Sequence, residues 1–302
     1  MRFSEICIIY NPKSTRDSEG AAFALRDILR KELKGVPIDC VATRHRGHAR
    51  ILACERASTG KRPLIVSSSG DGGYNEVING VMDAVHAHGS TDAVSAVLPA
   101  GNANDHSKTM HTRPLHQAIC EESVVHLDLI KVTVTYPTKN TTTPRTLVHY
   151  AHSYAGVGIT TNMAKELSSL KENPVKEFLR VVKVFGRSHA FTVMQEGKEK
   201  SYENMLFANI NRMAKVLTLA PENLPDDGKF EVITSPSNRK LELVRKAVKA
   251  AVGKLKNTAS RSHYEFRTVH EVSMQLDGEI LDIPAGCTVT VESAHKALAT
   301  VI

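Results

Sequence analysis

Short apolar runs alternate with longer amphipathic stretches over the first third of the chain. Residues 6–10, 38–42, 64–66 and 94–98 are compact apolar runs that predict strands. After the first run, Ala21, Leu25, Ile28, Leu29 and Leu33 recur at helical spacing, and Gly35 stands where a helix would stop. Further helices are predicted over 48–57 and 74–86, with a short one after the loop PAGNAND. This alternation predicts a parallel sheet covered on both faces, with its ligand crevice at the carboxyl ends of the strands. Near residue 123 the pattern changes. Residues 124–136 are rich in β-formers, and further strands are predicted over 147–154, 190–195, 205–211, 230–234, 264–269 and 288–292. Turn signals EGK, DDGK and DGE separate them, so this part reads as mainly antiparallel β. Two helical insertions are predicted within it, over 174–187 and 238–256.

The length of 302 residues suits two domains of roughly 150 residues each. The change of pattern places them at 1–122 and 123–294, with the tail 295–302 expected to pack back on the first. No apolar stretch approaches the roughly 18–20 residues of a membrane span, and the N-terminus shows no signal-peptide pattern. Five scattered cysteines, none in a CxxC, argue for reduced cytosolic thiols rather than disulfides or a zinc site. The net charge of +7 points to an anionic partner. With no Trp, 5% aromatic residues and no nucleic-acid-binding motif, nucleic acid is disfavoured. The histidine pairs His45/His48, His86/His88 and His149/His152 lack a metal-ligand context and read as solvent-facing or capping residues.

Candidate chemistry gathers in loops. Asn11-Pro12-Lys13-Ser14-Thr15 follows the first strand, Gly70-Asp71-Gly72-Gly73 the third, and Pro99 to Asp105 the fourth. One glycine-rich loop would be weak evidence of phosphate binding; three polar loops expected at the same edge of a parallel sheet are much stronger, since together they could surround one ligand. Asn75 and Glu76 fall in the first turn of the next helix, where simple capping would also put them. Asp277 and Glu279 flank Gly278 in LDGE, which read alone is a hairpin turn. Leu224 to Lys229, LPDDGK, also reads as a turn.

These stretches resemble one family. GDGGYNEVINGV is similar to the GGDGTxNEVxNGL signature of the diacylglycerol kinase catalytic domain, shared with sphingosine and ceramide kinases and bacterial lipid kinases. LPAGNANDHSK resembles its PxGTxND segment, IIYNPKST its NPxSG loop and TRHRGHA its T…GhA segment. LAPENLPDDGKFEV and MQLDGE resemble its later blocks, in family order from residue 8 to residue 279. The chain departs from the pattern at Ser69, Gly73, Asn102, Thr15, His106 and Lys108. Ser69 stands for the first glycine of GGDGT and Gly73 for its threonine.

The resemblance implies an α/β nucleotide-binding domain of the NAD kinase and diacylglycerol kinase kind, followed by a mainly antiparallel β domain. It implies an ATP- and Mg²⁺-dependent kinase acting on a lipid hydroxyl. The nucleotide residues carried over are Asn11, Pro12, Lys13, Ser14, Thr15, Thr43, Gly70, Asp71, Gly72, Gly73, Tyr74, Asn75, Glu76, Gly101, Asn102, Asn104 and Asp105. Glu279 is implied as proton acceptor with Asp277 as its partner, facing the nucleotide across the cleft, and Asp71 as a catalytic acid for Mg²⁺ and phosphates. Asp227, with the carbonyls of Leu224 and Lys229, is implied to hold a structural Mg²⁺. A lipid substrate at an anionic membrane surface, a cytoplasmic location peripheral to the inner face and room for a homodimer complete the implied picture. Two basic amphipathic stretches suit a membrane surface: Val175, Phe178, Val182 and Phe185 lie on one, and Leu241, Val244, Val248, Val252 and Leu255 on the other. They would equally serve to pack on the β domain. A kinase of a small soluble hydroxyl substrate, and a nucleotide- or lipid-binding regulator without catalysis, stand as alternatives.

Overall fold

The structure, a computed structural model, describes residues 3–102, 104–111, 113–137, 143–158, 190–210, 212–213, 217–218, 225–237 and 259–302. Leu224 and the predicted helices at 174–187 and 238–256 lie outside them. The chain divides into two units, Met1–Leu127 with Lys296–Ile302, and Asp128–His295.

Unit 1 alternates β1 (Glu5–Tyr10), α1 (Ser18–Glu32), β2 (Ile38–Ala42), α2 (His48–Ala57), β3 (Pro63–Ser69), α3 (Asp71–His88), β4 (Val94–Pro99), α4 (Asp105–Met110) and α5 (Leu115–Cys120). The strands run parallel in the order β2-β1-β3-β4. Both sheet faces are buried because successive strand residues point to opposite sides. Ile6 and Ile8 pack with Leu25, Leu29 and Val66, whereas Cys7 and Ile9 pack with Ala49, Ala53, Ile65, Val77 and Val81. Each large aliphatic side chain so buried stabilises the unit by about 1.5–3 kcal/mol. The Cys7 thiol shares this fate: burial pushes its pKa up to about 12, with the Asp39 carboxylate adding to the rise. Cys7 is therefore expected to resist alkylation at neutral pH until the chain unfolds, as mass spectrometry after iodoacetamide treatment would show.

The third helix begins three residues earlier than the sequence pattern predicts, at Asp71. Gly70 caps it in an extended conformation, and its first backbone bond runs from Tyr74 N–H to the Gly70 carbonyl, 3.1 Å. Gly72 and Gly73 thus form helix rather than loop. Gly89, at φ 81°, ends the helix, and His86 and His88 lie in its last turn, where cations complement the dipole.

Unit 2 is antiparallel. β5 (Val124–Thr135) starts in the last residues of unit 1 and is followed by β6 (Thr146–Ala151), β7 (Tyr154–Gly158), β8 (Phe191–Gln195) and β9 (Lys198–Ala208). Then come β10 (Arg212–Met213), β11 (Leu217–Thr218), β12 (Phe230–Pro236), β13 (Ala259–Arg261), β14 (His263–Thr268), β15 (Val272–Leu276), β16 (Glu279–Ile283) and β17 (Thr288–Val301). Its main path is β16-β15-β7-β9-β8-β14-β17, every pair antiparallel. Alternate residues such as Ala155 and Val157, Met205 and Phe207, Met274 and Leu276, and Val289 and Val291 fill its core. The Phe207 and Phe230 rings meet edge to face at 5.7 Å. The single strand predicted over 147–154 is two strands, because the chain turns at His152 and Ser153. The EGK and DGE signals are the tips of the β8–β9 and β15–β16 hairpins, with Glu196, Gly197, Asp277 and Gly278 at positive φ.

Candidate active site

The strand order 2-1-3-4 reverses direction between β1 and β3, and ligands in such sheets lie outside the carboxyl ends at that point. The Asn11 loop leaves β1 there and the Gly70 loop leaves β3. Register pairs Tyr10 with Ser68 and Ser69 with Pro99, so the three loops start level with one another.

Backbone bonds stitch them together. Ala100 N–H donates to the Ser69 carbonyl at 2.8 Å, Arg16 N–H to the Ala100 carbonyl at 3.2 Å, and the Ser14 hydroxyl to the same carbonyl at 2.7 Å. Within the first loop Lys13 N–H donates to Asn11 Oδ1 at 2.9 Å, leaving Asn11, Pro12, Lys13 and Thr15 exposed. Thr43 is bound through its N–H to the Tyr10 carbonyl, 2.8 Å. Gly70 and Gly101 touch backbone to backbone: an ideal Cβ on Gly101 would lie 2.3 Å from the Gly70 Cα. No side chain fits between them.

Asn104, in the left-handed region at φ 52°, clamps Gly101 by accepting from its N–H and donating to its carbonyl, both at 2.9 Å. That shapes the loop. Asp71 joins the loop to α3: its carboxylate accepts from the N–H groups of Asp105 at 3.2 Å and His106 at 3.3 Å, the start of α4. Glu76 Oε1 accepts from Gly47 N–H at 2.8 Å, tying the segment before α2 to the second turn of α3, one turn later than the sequence pattern places Glu76. Asn75 is buried, and its Oδ1 accepts from Asn79 Nδ2 at 3.1 Å. Asn102 is half-buried and Asp105 buried.

Tyr74 departs from expectation. Its ring is fully buried, and its hydroxyl lies 3.0 Å from Ser95 Oγ and 3.0 Å from Thr300 Oγ1. A side chain anchored in the core of unit 1 does not reach a phosphate at the helix start, so Tyr74 is a packing residue.

The departures at Ser69 and Gly73 are one feature. An ideal Cβ on Gly73 would sit 2.4 Å from Ser69 Oγ and 2.7 Å from its Cβ. The serine occupies the space that a side chain at 73 would need. Gly73→Thr is expected to destabilise by about 1–3 kcal/mol, the usual cost of overpacking. Adding Ser69→Gly should recover most of that loss, and urea denaturation of the two single variants and the double variant checks the coupling.

In unit 2 the Asp277 side chain is fully buried, and its carboxylate accepts from three consecutive N–H groups: His152 at 2.6 Å, Ser153 at 3.0 Å and Tyr154 at 2.9 Å. Asp277 N–H in return donates to the Tyr154 carbonyl at 3.1 Å. Glu279, the first residue of β16 and partly exposed, follows directly. His152 is the residue that the sequence pattern misplaces. Read as a surface or capping histidine, it is 1% exposed, its Nε2 3.4 Å from Asp277 Oδ2. No sequence periodicity links residues so far apart.

The DDGK turn is held by another buried acid. Asp128 Oδ2 accepts from Gly228 N–H at 2.6 Å, Asp128 Oδ1 lies 2.8 Å from His295 Nδ1, and Asp128 N–H donates to the Pro225 carbonyl at 2.7 Å. Asp227 is exposed and accepts from Lys229 N–H at 2.9 Å. Asp227 offers a carboxylate oxygen of the kind Mg²⁺ takes; of the two implied carbonyl donors, that of Leu224 lies outside the described residues. Among the described residues no cluster of three His, Cys, Asp or Glu side chains is arranged to hold a metal on its own.

Known proteins resemble this chain in sequence and in fold. Residues 5–132 match the diacylglycerol kinase catalytic domain. A diacylglycerol kinase of Staphylococcus haemolyticus is 27% identical over 271 residues, covering 85% of this chain and 72% of the relative. One from Staphylococcus carnosus is 28% identical over 265 residues, covering 85% and 78%. Among solved structures, a diacylglycerol kinase from Bacillus anthracis superimposes with a TM-score of 0.70 at 16% identity, covering 100% of this chain and 97% of the other. A yeast NADH kinase complexed with NADH gives 0.52 at 12% identity, covering 100% and 84%. The fold is therefore the one shared by these diacylglycerol kinase and NADH kinase structures, and residues 5–132 of this chain match the diacylglycerol kinase catalytic domain.

Proposed function

We propose that this protein is a lipid kinase that transfers the γ-phosphoryl group of ATP to a primary hydroxyl of diacylglycerol or a closely related lipid. The observation that carries this reading is the joining of three loops at the switch point of the parallel sheet, with the start of α3 among them. A helix leaves its first amides without partners inside the helix, so those of Gly72 and Gly73 suit phosphate oxygens. Lys13, exposed on the loop after β1, brings a positive charge to the same end of the sheet. Asp71 and Asp105 serve the nucleotide–metal side, and the half-buried Asn102 side chain lines the same loop.

Mg²⁺, when bound, neutralises charge on the phosphates as transfer proceeds. Glu279 accepts the proton of the lipid hydroxyl as the oxygen attacks phosphorus, and Asp277 acts through it by fixing the turn. A second, structural Mg²⁺ is assigned to Asp227 with the carbonyls of Leu224 and Lys229; Asp128 holds that turn in shape.

The acceptor is met at an anionic membrane surface, with the enzyme cytoplasmic and peripheral. No helix among the described residues is long and apolar enough to cross a membrane. The net charge of +7 favours such a surface, each basic side chain near it contributing about 1 kcal/mol.

The test is direct: incubate the protein with γ-labelled ATP, Mg²⁺ and a panel of lipids, and extract with chloroform. A labelled lipid product is expected. Label that appears only in a water-soluble product with a polyol panel would move the acceptor out of the lipid class.

A further inference from the structure

A two-residue hairpin tip closes by its own strand ladder; register already pairs Leu276 with Glu279. Here the tip is also tied to a second turn, that of His152 and Ser153, by far more than a hairpin requires. Three N–H groups converge on the Asp277 carboxylate, and Asp277 N–H donates back to Tyr154. Behind them stands a side-chain relay. Ser153 Oγ lies 2.7 Å from His152 Nδ1, and His152 Nε2 lies 3.4 Å from Asp277 Oδ2. All three side chains are at most 1% exposed.

With a neutral imidazole the relay has one consistent proton arrangement. The nitrogen facing the carboxylate must carry a hydrogen, since a lone pair there would repel the oxygen. Nδ1 then accepts from the Ser153 hydroxyl. Ser153 thus sets the tautomer and ring angle of His152, and the His152 ring stands against Oδ2 of the Asp277 carboxylate.

We infer that His152 and Ser153 are positioning residues that act through Asp277 to fix the Cα and side-chain direction of Glu279. The inference rests on the reading of Glu279 as proton acceptor. Only Gly278 separates Glu279 from the clamped Asp277, so slack at Asp277 moves the base directly. A displacement of about 1 Å in a catalytic group can cost on the order of 100-fold in rate. The same constellation is not a nucleophilic site: Ser153 is buried, and its hydroxyl is committed to the ring of the adjacent residue.

The test uses the full chain with Mg-ATP and dioctanoylglycerol in mixed micelles. His152→Leu is expected to lower kcat at least about 10-fold while leaving the KM for Mg-ATP within about two-fold. His152→Asn, whose amide can still donate to Asp277, should recover to within about three-fold of the wild type. Ser153→Ala, with the ring angle no longer set, should fall between these two variants. The deciding comparison is the double variant. If His152 works through the base, then in a Glu279→Gln background His152→Leu should change the residual rate by less than about two-fold. A purely structural role would lower that residual rate too. Glu279→Gln at the wild-type rate would overturn the base assignment and this inference with it. An inactive Glu279→Gln with a full additional loss from His152→Leu would overturn the positioning role alone. Should His152→Leu fail to fold, Ser153→Ala in both backgrounds makes the same comparison, with additivity again the overturning result.

Discussion

Glu279→Gln is expected to lower phosphoryl transfer by about 10²–10⁴-fold, the usual value of a positioned general base, with Mg-ATP affinity nearly unchanged. The substitution keeps volume and removes only the ability to take a proton. Asp277 is poorly placed to substitute, because its carboxylate is fully buried and accepts from three N–H groups. Its oxygens are committed to the backbone of residues 152–154, and Glu279 is the partly exposed acid of the pair. Calorimetric titration with Mg-ATP separates binding from turnover. Wild-type turnover in the variant would remove Glu279 from the mechanism and leave LDGE as a hairpin tip.

Asp277→Ala should strongly destabilise the fold of unit 2. It strips the acceptor from three amides, and a buried amide without an acceptor costs about 1–3 kcal/mol. Water entering the small space left by the carboxylate would recover part of this. The net loss should still be about 3 kcal/mol or more, visible as a lower urea midpoint with an unchanged slope. A loss below about 1 kcal/mol would show that the amides find other acceptors and that the clamp is weak. Activity should fall as well, at temperatures where the variant is still folded, because the base loses its mooring. Asp277→Asn makes a poor control, since its amide group would bring two more donors to a site that already has three.

The parallel half of the fold was legible because its strands are buried on both faces and so read as continuous apolar runs. The start of α3 was not. Gly72 and Gly73 have low helix propensity and read as loop, yet both lie in the first turn, where Ser69 leaves no room for a side chain at 73. The break between β6 and β7 was hidden because His152 and Ser153 interrupt an otherwise β-forming stretch without glycine or proline. Ser69 and Gly73 looked like two independent losses; in space they are one exchange of side-chain volume. Tyr74 follows a glycine-rich loop in sequence, but on a helix it points to the core, where Ser95 and Thr300 hold its hydroxyl. The His152–Asp277 contact joins residues that only tertiary structure brings together, so no local pattern could announce it.

The composition of unit 1 has a consequence for how the chain is made. Residues 296–302 belong to it: Thr300 pairs in parallel with Ser95 of β4, Val301 is buried in its core, and Ile302 N–H donates to the Ser123 carbonyl. Ribosomes add roughly 5–20 residues per second, so on the order of ten seconds separate the emergence of Leu127 from that of Lys296. Throughout that interval β4 is an uncovered sheet edge and the Tyr74 hydroxyl lacks its Thr300 partner. The first unit to leave the ribosome is thus completed after the second has been synthesised, which makes the open edge of β4 the place where a chaperone would have most to protect.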